Sequence, residues 1–137
     1  MKVLFLDVDG VLNSATWFAS QPPMAVTEVD ATAVRRIQRI VAQTGAKVVL
    51  SSSWRHQPEL VAQLRAAGVP IDDMTPRSEN RGDEIRAWLL GHPEVTTFAI
   101  LDDDADAGDY APERFVRTYW RTGMYGKHEK AVLALLT

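Results

Sequence analysis

Val3-Leu4-Phe5-Leu6-Asp7-Val8-Asp9-Gly10-Val11-Leu12-Asn13 decides how the rest of the chain is read. An apolar run without polar alternation is the pattern of a strand buried on both faces. This one ends in two carboxylates one residue apart. Side chains at i and i+2 of an extended chain project to the same side. Like charges held that close repel, and a divalent cation, a shifted pKa, or both relieve the repulsion. Gly10 permits a sharp turn beside the pair. An oxygen-rich site at the tip of a parallel strand suits phosphate chemistry with Mg²⁺.

Two further apolar runs end the same way. Lys47-Val48-Val49-Leu50 leads into Ser51-Ser52-Ser53, and Thr97-Phe98-Ala99-Ile100-Leu101 leads into Asp102-Asp103-Asp104. Helical patterns separate these runs. Asp30 caps a helix that runs to about Thr44, with Ala33, Ile37, Ile40 and Val41 on one face and Gly45 as its stop. Pro58 opens a second helix, which carries Leu60, Val61 and Leu64 and ends at Gly68. A third begins at Gly82 or Asp83, turns Ile85, Trp88 and Leu89 inward, and stops at Gly91 and Pro93. Weaker signals predict an edge strand within 69–74, a last strand over 114–119 and a closing helix over 127–136. The reading is a single α/β domain over 1–137, a Rossmann-like α/β/α sandwich around a parallel sheet. Such sheets bind ligands beyond the carboxyl ends of their strands, near a switch in strand order. Three strand tips therefore deliver Asp7, Ser51 and Asp102 to one rim.

The bulk composition narrows the function classes. At 137 residues the chain buries roughly two thirds of its unfolded surface, enough for a real core. It contains no cysteine, which removes disulfides, thiolate catalysis and cysteine-based zinc sites. The short run ahead of Asp7 is no signal peptide, and no apolar stretch approaches the ~20 residues that span a bilayer. A cytoplasmic location without a membrane partner is expected. The net charge of -3 argues against broad nonspecific nucleic-acid binding. His56, His92 and His128 lack metal-ligand spacing and read as surface residues. Trp88 and Trp120 read as core or sheet-covering residues.

The ordered motifs resemble the haloacid dehalogenase (HAD) superfamily of phosphohydrolases. An apolar strand followed by Asp-x-Asp-Gly matches Asp7, Asp9 and Gly10. A strand ending in Ser or Thr matches Ser51, with Ser52 as the alternative register. A basic residue just before a helix matches Arg81, with Arg77 nearby as the alternative; Lys is the commoner residue there. A strand ending in acids matches Asp102 and Asp103, with Asp106 as an auxiliary. The resemblance implies that Asp7 attacks phosphorus and becomes an aspartyl phosphate, and that Asp9 protonates the leaving oxygen and then activates water. It implies Mg²⁺ held by Asp7, the backbone carbonyl of Asp9 and one of Asp102 or Asp103. Ser51 would bond a phosphoryl oxygen, and Arg81 would neutralise the transferring group.

Many members close a cap domain over small substrates. The two insertion points here offer only residues 14–29 and 70–80, so no substantial cap is expected and a large phosphorylated substrate is favoured. A finer resemblance is to the small HAD domains of RNA-repair proteins and to polynucleotide phosphatases, through Asp9-Gly10-Val11-Leu12-Asn13, Ser52-Ser53-Trp54-Arg55 and Leu101-Asp102-Asp103-Asp104-Ala105-Asp106. It implies a nucleic-acid end as substrate, with Asn13, Ser52, Trp54 and Arg55 as contacts. Trp17 and Phe18 would also flank the rim, where rings stack on bases. The competing readings are a phosphatase for a phosphoprotein or small nucleotide, a receiver-like phosphoryl acceptor, and a silent interaction domain.

Overall fold

A computed structural model describes residues 1–23 and 28–137. Strands β1 (Lys2–Leu6), β2 (Lys47–Leu50), β3 (Asp73–Met74), β4 (Thr97–Asp102) and β5 (Phe115–Arg117) form one sheet in the order β3-β2-β1-β4-β5. All pairings are parallel. Helices α1 (Ala15–Ser20), α2 (Ala31–Thr44), α3 (Pro58–Ala66), α4 (Arg81–Leu90) and α5 (Gly126–Leu136) accompany it. None is long and apolar enough to cross a membrane.

The period of two along the strands makes two cores. Leu4, Leu6, Val48, Leu50, Ala99 and Leu101 face α2, α3 and α5, through Ile37, Ile40, Leu64, Val132 and Leu136. Val3, Phe5, Val49 and Ile100 face α4, through Ile85 and Trp88. Phe5 meets Trp88 edge to face, with ring centroids 5.5 Å apart. The central strand β1 is therefore dry on both sides, as its unbroken apolar run requires.

Local signals set the helix ends. The Asp30 side chain accepts from the Thr32 N–H, and Gly45 closes α2 in a left-handed conformation, φ 71°. Arg36 and Arg39 of α2 both reach Glu129 of α5, which locks these helices together. From β1 the chain winds outward through β2 and β3, then returns to the other side of β1 as β4. The strand order thus reverses at β1 and β4, and Asp7 and Asp102 stand at that crevice.

Three expectations need correction, and one element was not foreseen. Helix α1 lies within 14–29, the stretch too short for a cap; residues 24–27 of that stretch lie outside the described residues. The last strand is shorter than expected because the chain after Arg117 turns to pair with the α1 segment. His128 is buried, not superficial: its Nδ1 accepts from the Tyr125 N–H and caps α5. Trp120 is 47% exposed and covers no part of the sheet.

Candidate active site

Parallel register sets the site. Leu6 pairs with Leu50 on one side and Leu101 on the other, so the next residues outward, Asp7, Ser51 and Asp102, share one row. The row is fixed by backbone bonds, from Ser51 N–H to the Leu6 carbonyl (2.9 Å) and from Asp7 N–H to the Leu101 carbonyl (3.1 Å). Thr75 extends the row beyond β3, its N–H on the Leu50 carbonyl at 3.0 Å. All four side chains are buried. The hydroxyls of Ser51 and Thr75 have no hydrogen-bond partner among the described residues. Buried hydroxyls rarely stay unpaired, so these two, at neighbouring strand tips, are open to an oxygen-bearing partner.

Arg81, the first residue of α4, answers the acids. Its Nη1 lies 3.3 Å from Asp7 Oδ1 and also pairs with Asp102 Oδ2. The helix start that positions it is held twice, by Asn80 capping the Asp83 N–H and by Asp106 accepting from the Arg81 N–H at 3.1 Å. Burial, then the Asp102 charge, push the Asp7 carboxyl well above the usual carboxylate range, against the pull of Arg81. Asp103 is raised as well, chiefly by burial. One cation facing crowded acids leaves them short of positive charge.

Asp7, Asp102 and Asp103 each offer an oxygen, and these oxygens lie within 4.8 Å of one another. An all-carboxylate set suits a hard divalent cation. The first-motif loop leaves space for Asp103. Gly10 adopts φ +81°, and a Cβ built there would fall 2.1 Å from Asp103 Oδ2.

A family model described as the HAD domain in Swiss Army Knife RNA repair proteins matches residues 3–128. The chain belongs to this HAD family. It therefore stands among HAD phosphohydrolases, with a Rossmann-like sheet and, among the described residues, no large cap. No curated protein matches it.

Within this HAD domain, Asp7, Ser51, Arg81, Asp102 and Asp103 are gathered at the strand tips. The alternatives separate by what each group is occupied with. Ser52 Oγ accepts from the Trp54 N–H and caps a turn of 3-10 helix over Ser53–His56, whereas Ser51 Oγ has no partner among the described residues. Arg77 is exposed, whereas Arg81 sits between two buried acids. Asp104 caps the next 3-10 turn through the Asp106 N–H, so the acidic run is only partly free.

All four expected substrate contacts are buried and bonded within the protein. Arg55 is inside the molecule, not on the rim. Its guanidinium donates to the carbonyls of Ser51, Ser52, Thr75 and Pro76 and pairs with Glu84 at 2.6 Å, which ties two strand tips to α4. Asn13 accepts from the Gly10 N–H and donates to Asp9 Oδ1 and the Glu28 carbonyl, each at 3.0 Å, so it shapes the loop. Ser52 is the cap just described. Trp54 is buried, and its Nε1–H donates to Asp9 Oδ2 at 3.0 Å. Asp9 itself is exposed and held by Trp54 and Asn13, apart from the three clustered carboxylates.

Sequence reasoning missed Thr75 and Thr118. Thr118 Oγ1 donates to the Gly10 carbonyl at 2.6 Å and pins the tight turn. Neither is signalled by a motif. A hydroxyl at the end of the weakly patterned β3 or β5 becomes visible only once the register aligns it with Asp7 and Asp102.

Proposed function

We propose that this HAD domain is a Mg²⁺-dependent phosphomonoesterase that works through an aspartyl phosphate on Asp7 and acts on large phosphate esters, nucleic-acid ends foremost. The observation that carries the reading is Arg81 set between buried Asp7 and Asp102, beside the unpaired Ser51 hydroxyl. Arg81 and the Ser51 hydroxyl supply a cation and a donor for the equatorial oxygens of a phosphoryl group. Asp7 attacks phosphorus, the ester P–O bond breaks, and the leaving oxygen takes a proton from Asp9. Water then attacks the aspartyl phosphate, Asp9 takes its proton, and the Asp7 carboxylate is regenerated with release of inorganic phosphate. Asp7, Asp102 and Asp103, with the Asp9 carbonyl, would hold Mg²⁺, which supplies charge neutralisation at the phosphoryl oxygens.

The lack of a cap among the described residues supports a large substrate, because the two insertion points hold only the short elements α1 and β3. The family's place in RNA-repair proteins supports nucleic acid among large substrates. The test is phosphate release, in Mg²⁺ and in EDTA, from 3′- and 5′-phosphorylated DNA and RNA beside nucleotides and phosphopeptides. Turnover is expected on an oligonucleotide end, and Asp7→Asn is expected to abolish it. Full activity in purified Asp7→Asn protein refutes the nucleophile, and phosphopeptide preference refutes the substrate.

A further inference from the structure

The first-motif loop leads into α1, a six-residue helix that buries none of its residues. A helix this short is not stable alone, and apolar burial does not hold this one. Hydrogen bonds do. Ser14 Oγ accepts from the Trp17 N–H, while the Ala15 and Thr16 N–H groups donate to the carbonyls of Trp120 and Arg121, at 2.9 and 3.1 Å. Thr16 Oγ1 adds a bond of 2.7 Å to the same Arg121 carbonyl. Helix α1 and the segment after β5 are therefore one built unit.

What that unit presents is aromatic. The Trp17 and Phe18 rings lie 4.9 Å apart between centroids, and Phe18 and Trp120 lie 6.0 Å apart. Phe18 is 42% exposed, Trp120 47% and Tyr119 54%. Adjacent large rings left in water, on a scaffold that gains no burial from them, mark a binding surface. The flanking charges are cationic. The Arg117 guanidinium stacks over Tyr119, 4.9 Å from its centroid, and Arg121 is exposed beside Trp120. In a chain of net charge -3 this is a local reversal of sign.

The unit is also joined to the site. Thr118 Oγ1 holds the Gly10 carbonyl, and the Met124 N–H donates to the Val11 carbonyl at 3.0 Å. The rings thus hang from the loop that carries Asp7 and Asp9, on the same rim. Partly exposed rings, flanked by Arg and tied to the first-motif loop, match the chemistry of single-stranded nucleic acid, whose bases stack while its backbone pairs with guanidinium.

We propose that Trp17, Phe18, Tyr119 and Trp120 form a stacking platform for the unpaired bases next to a terminal phosphate, with Arg117 and Arg121 on the backbone. The proposal rests on the polynucleotide reading above and adds where the strand lies and that it must be unpaired. The probes are short dye-labelled single-stranded oligonucleotides, with and without a terminal phosphate, and their blunt duplexes. Affinity comes from fluorescence anisotropy. Turnover is taken as the ratio of kcat/KM on the phosphorylated strand to kcat/KM on p-nitrophenyl phosphate.

Phe18→Ala and Trp120→Ala are each expected to weaken strand binding by about 5- to 100-fold and to lower that ratio in step, with Trp120→Phe retaining most of both. Blunt duplexes, whose base faces are hidden, should bind more weakly than strands. Arg121→Ala should reduce the salt dependence of binding. Thermal melts confirm that each variant folds. Ring variants that bind and process strands like the parent overturn the platform while leaving the polynucleotide phosphatase standing. A protein that binds strands through these rings yet releases no phosphate from any of them keeps the platform and overturns that activity. Self-association in analytical ultracentrifugation that Trp120→Ala abolishes, with strand binding intact, overturns the platform in favour of a contact between copies of the chain.

Discussion

Replacing Arg81 by Met tests the electrostatics on which the site depends. Met keeps an apolar stem and removes the cation between Asp7 and Asp102. Asp102 is fully buried and Asp7 nearly so, which leaves two carboxylates facing each other without a counter-charge. Removing one member of a buried pair costs about 3–5 kcal/mol. The Arg81 side chain retains 18% exposure, so some of the pair's charge reaches water and the low end, about 3 kcal/mol, applies. In a domain of this size that loss lowers Tm by about 10 °C. The assay is thermal unfolding followed by circular dichroism in EDTA. Acidity supplies a second axis. Burial and Asp102 raise the Asp7 carboxyl in the fold. A raised carboxyl contributes its stability in full below its unfolded pKa and loses it as pH rises through the folded value. The variant raises that value further, so its deficit should be largest at alkaline pH and shrink on acidification. Saturating Mg²⁺ should shrink it as well, because a divalent cation among Asp7, Asp102 and Asp103 supplies the missing charge. An unchanged Tm in EDTA at the alkaline end, or a deficit that grows on acidification, refutes the reasoning.

Gly10→Ala should cost about 1–2 kcal/mol in stability from the left-handed backbone alone. Its Cβ would also displace Asp103, so Mg²⁺ affinity measured by titration calorimetry should fall with it. Trp54→Phe keeps a ring but removes the donor to Asp9 Oδ2. Turnover of alkyl phosphates, whose leaving oxygen needs a proton, should drop by about tenfold while an activated aryl phosphate is spared, and equal losses on both would count against Asp9 as the acid. The bonds from Arg39 and then Arg36 hold Glu129 below its ordinary pKa. That stability is present above the unfolded value and lost as pH falls through the folded one. Glu129→Gln should therefore melt below the parent at neutral pH and converge with it in acid.

The sheet and the row of polar side chains at its tips were legible because they are written in short, strong patterns. The buried strand ahead of Asp7 admits one reading, and its register carries Ser51 and Asp102 to the same row without further information. The neighbours of that row were not legible. Arg55 reads as a rim cation from its place after a strand, yet five partners inside the molecule claim its guanidinium. Asn13 and Ser52 follow the same logic: a polar residue beside a motif serves the loop's own backbone as readily as a ligand, and only coordinates decide. His128 and Trp120 exchanged their expected places for a related reason. The last third of the chain lacks periodicity strong enough to say which face of each element points inward, and the bonds from Ala15 and Thr16 that turn Trp120 outward come from more than a hundred residues earlier.

The distribution of polar bonds around the row explains how such a site survives in a small domain. Buried like charges favour unfolding, so the groups carrying them need a support that does not yield. Here that support is β1, whose side chains Val3, Leu4, Phe5 and Leu6 are fully buried between two packed faces. The loops that leave the row are each closed by a side chain of their own: Asn13 and Thr118 on Gly10, Arg55 on Ser51 and Ser52, Asp104 on the acidic turn. Each of these residues bonds a neighbouring backbone group. By satisfying the backbone around the row they leave Asp7, Asp103 and the hydroxyls of Ser51 and Thr75 as the groups with unspent capacity. A site is then defined as much by the neighbours that are fully occupied as by the few that are not.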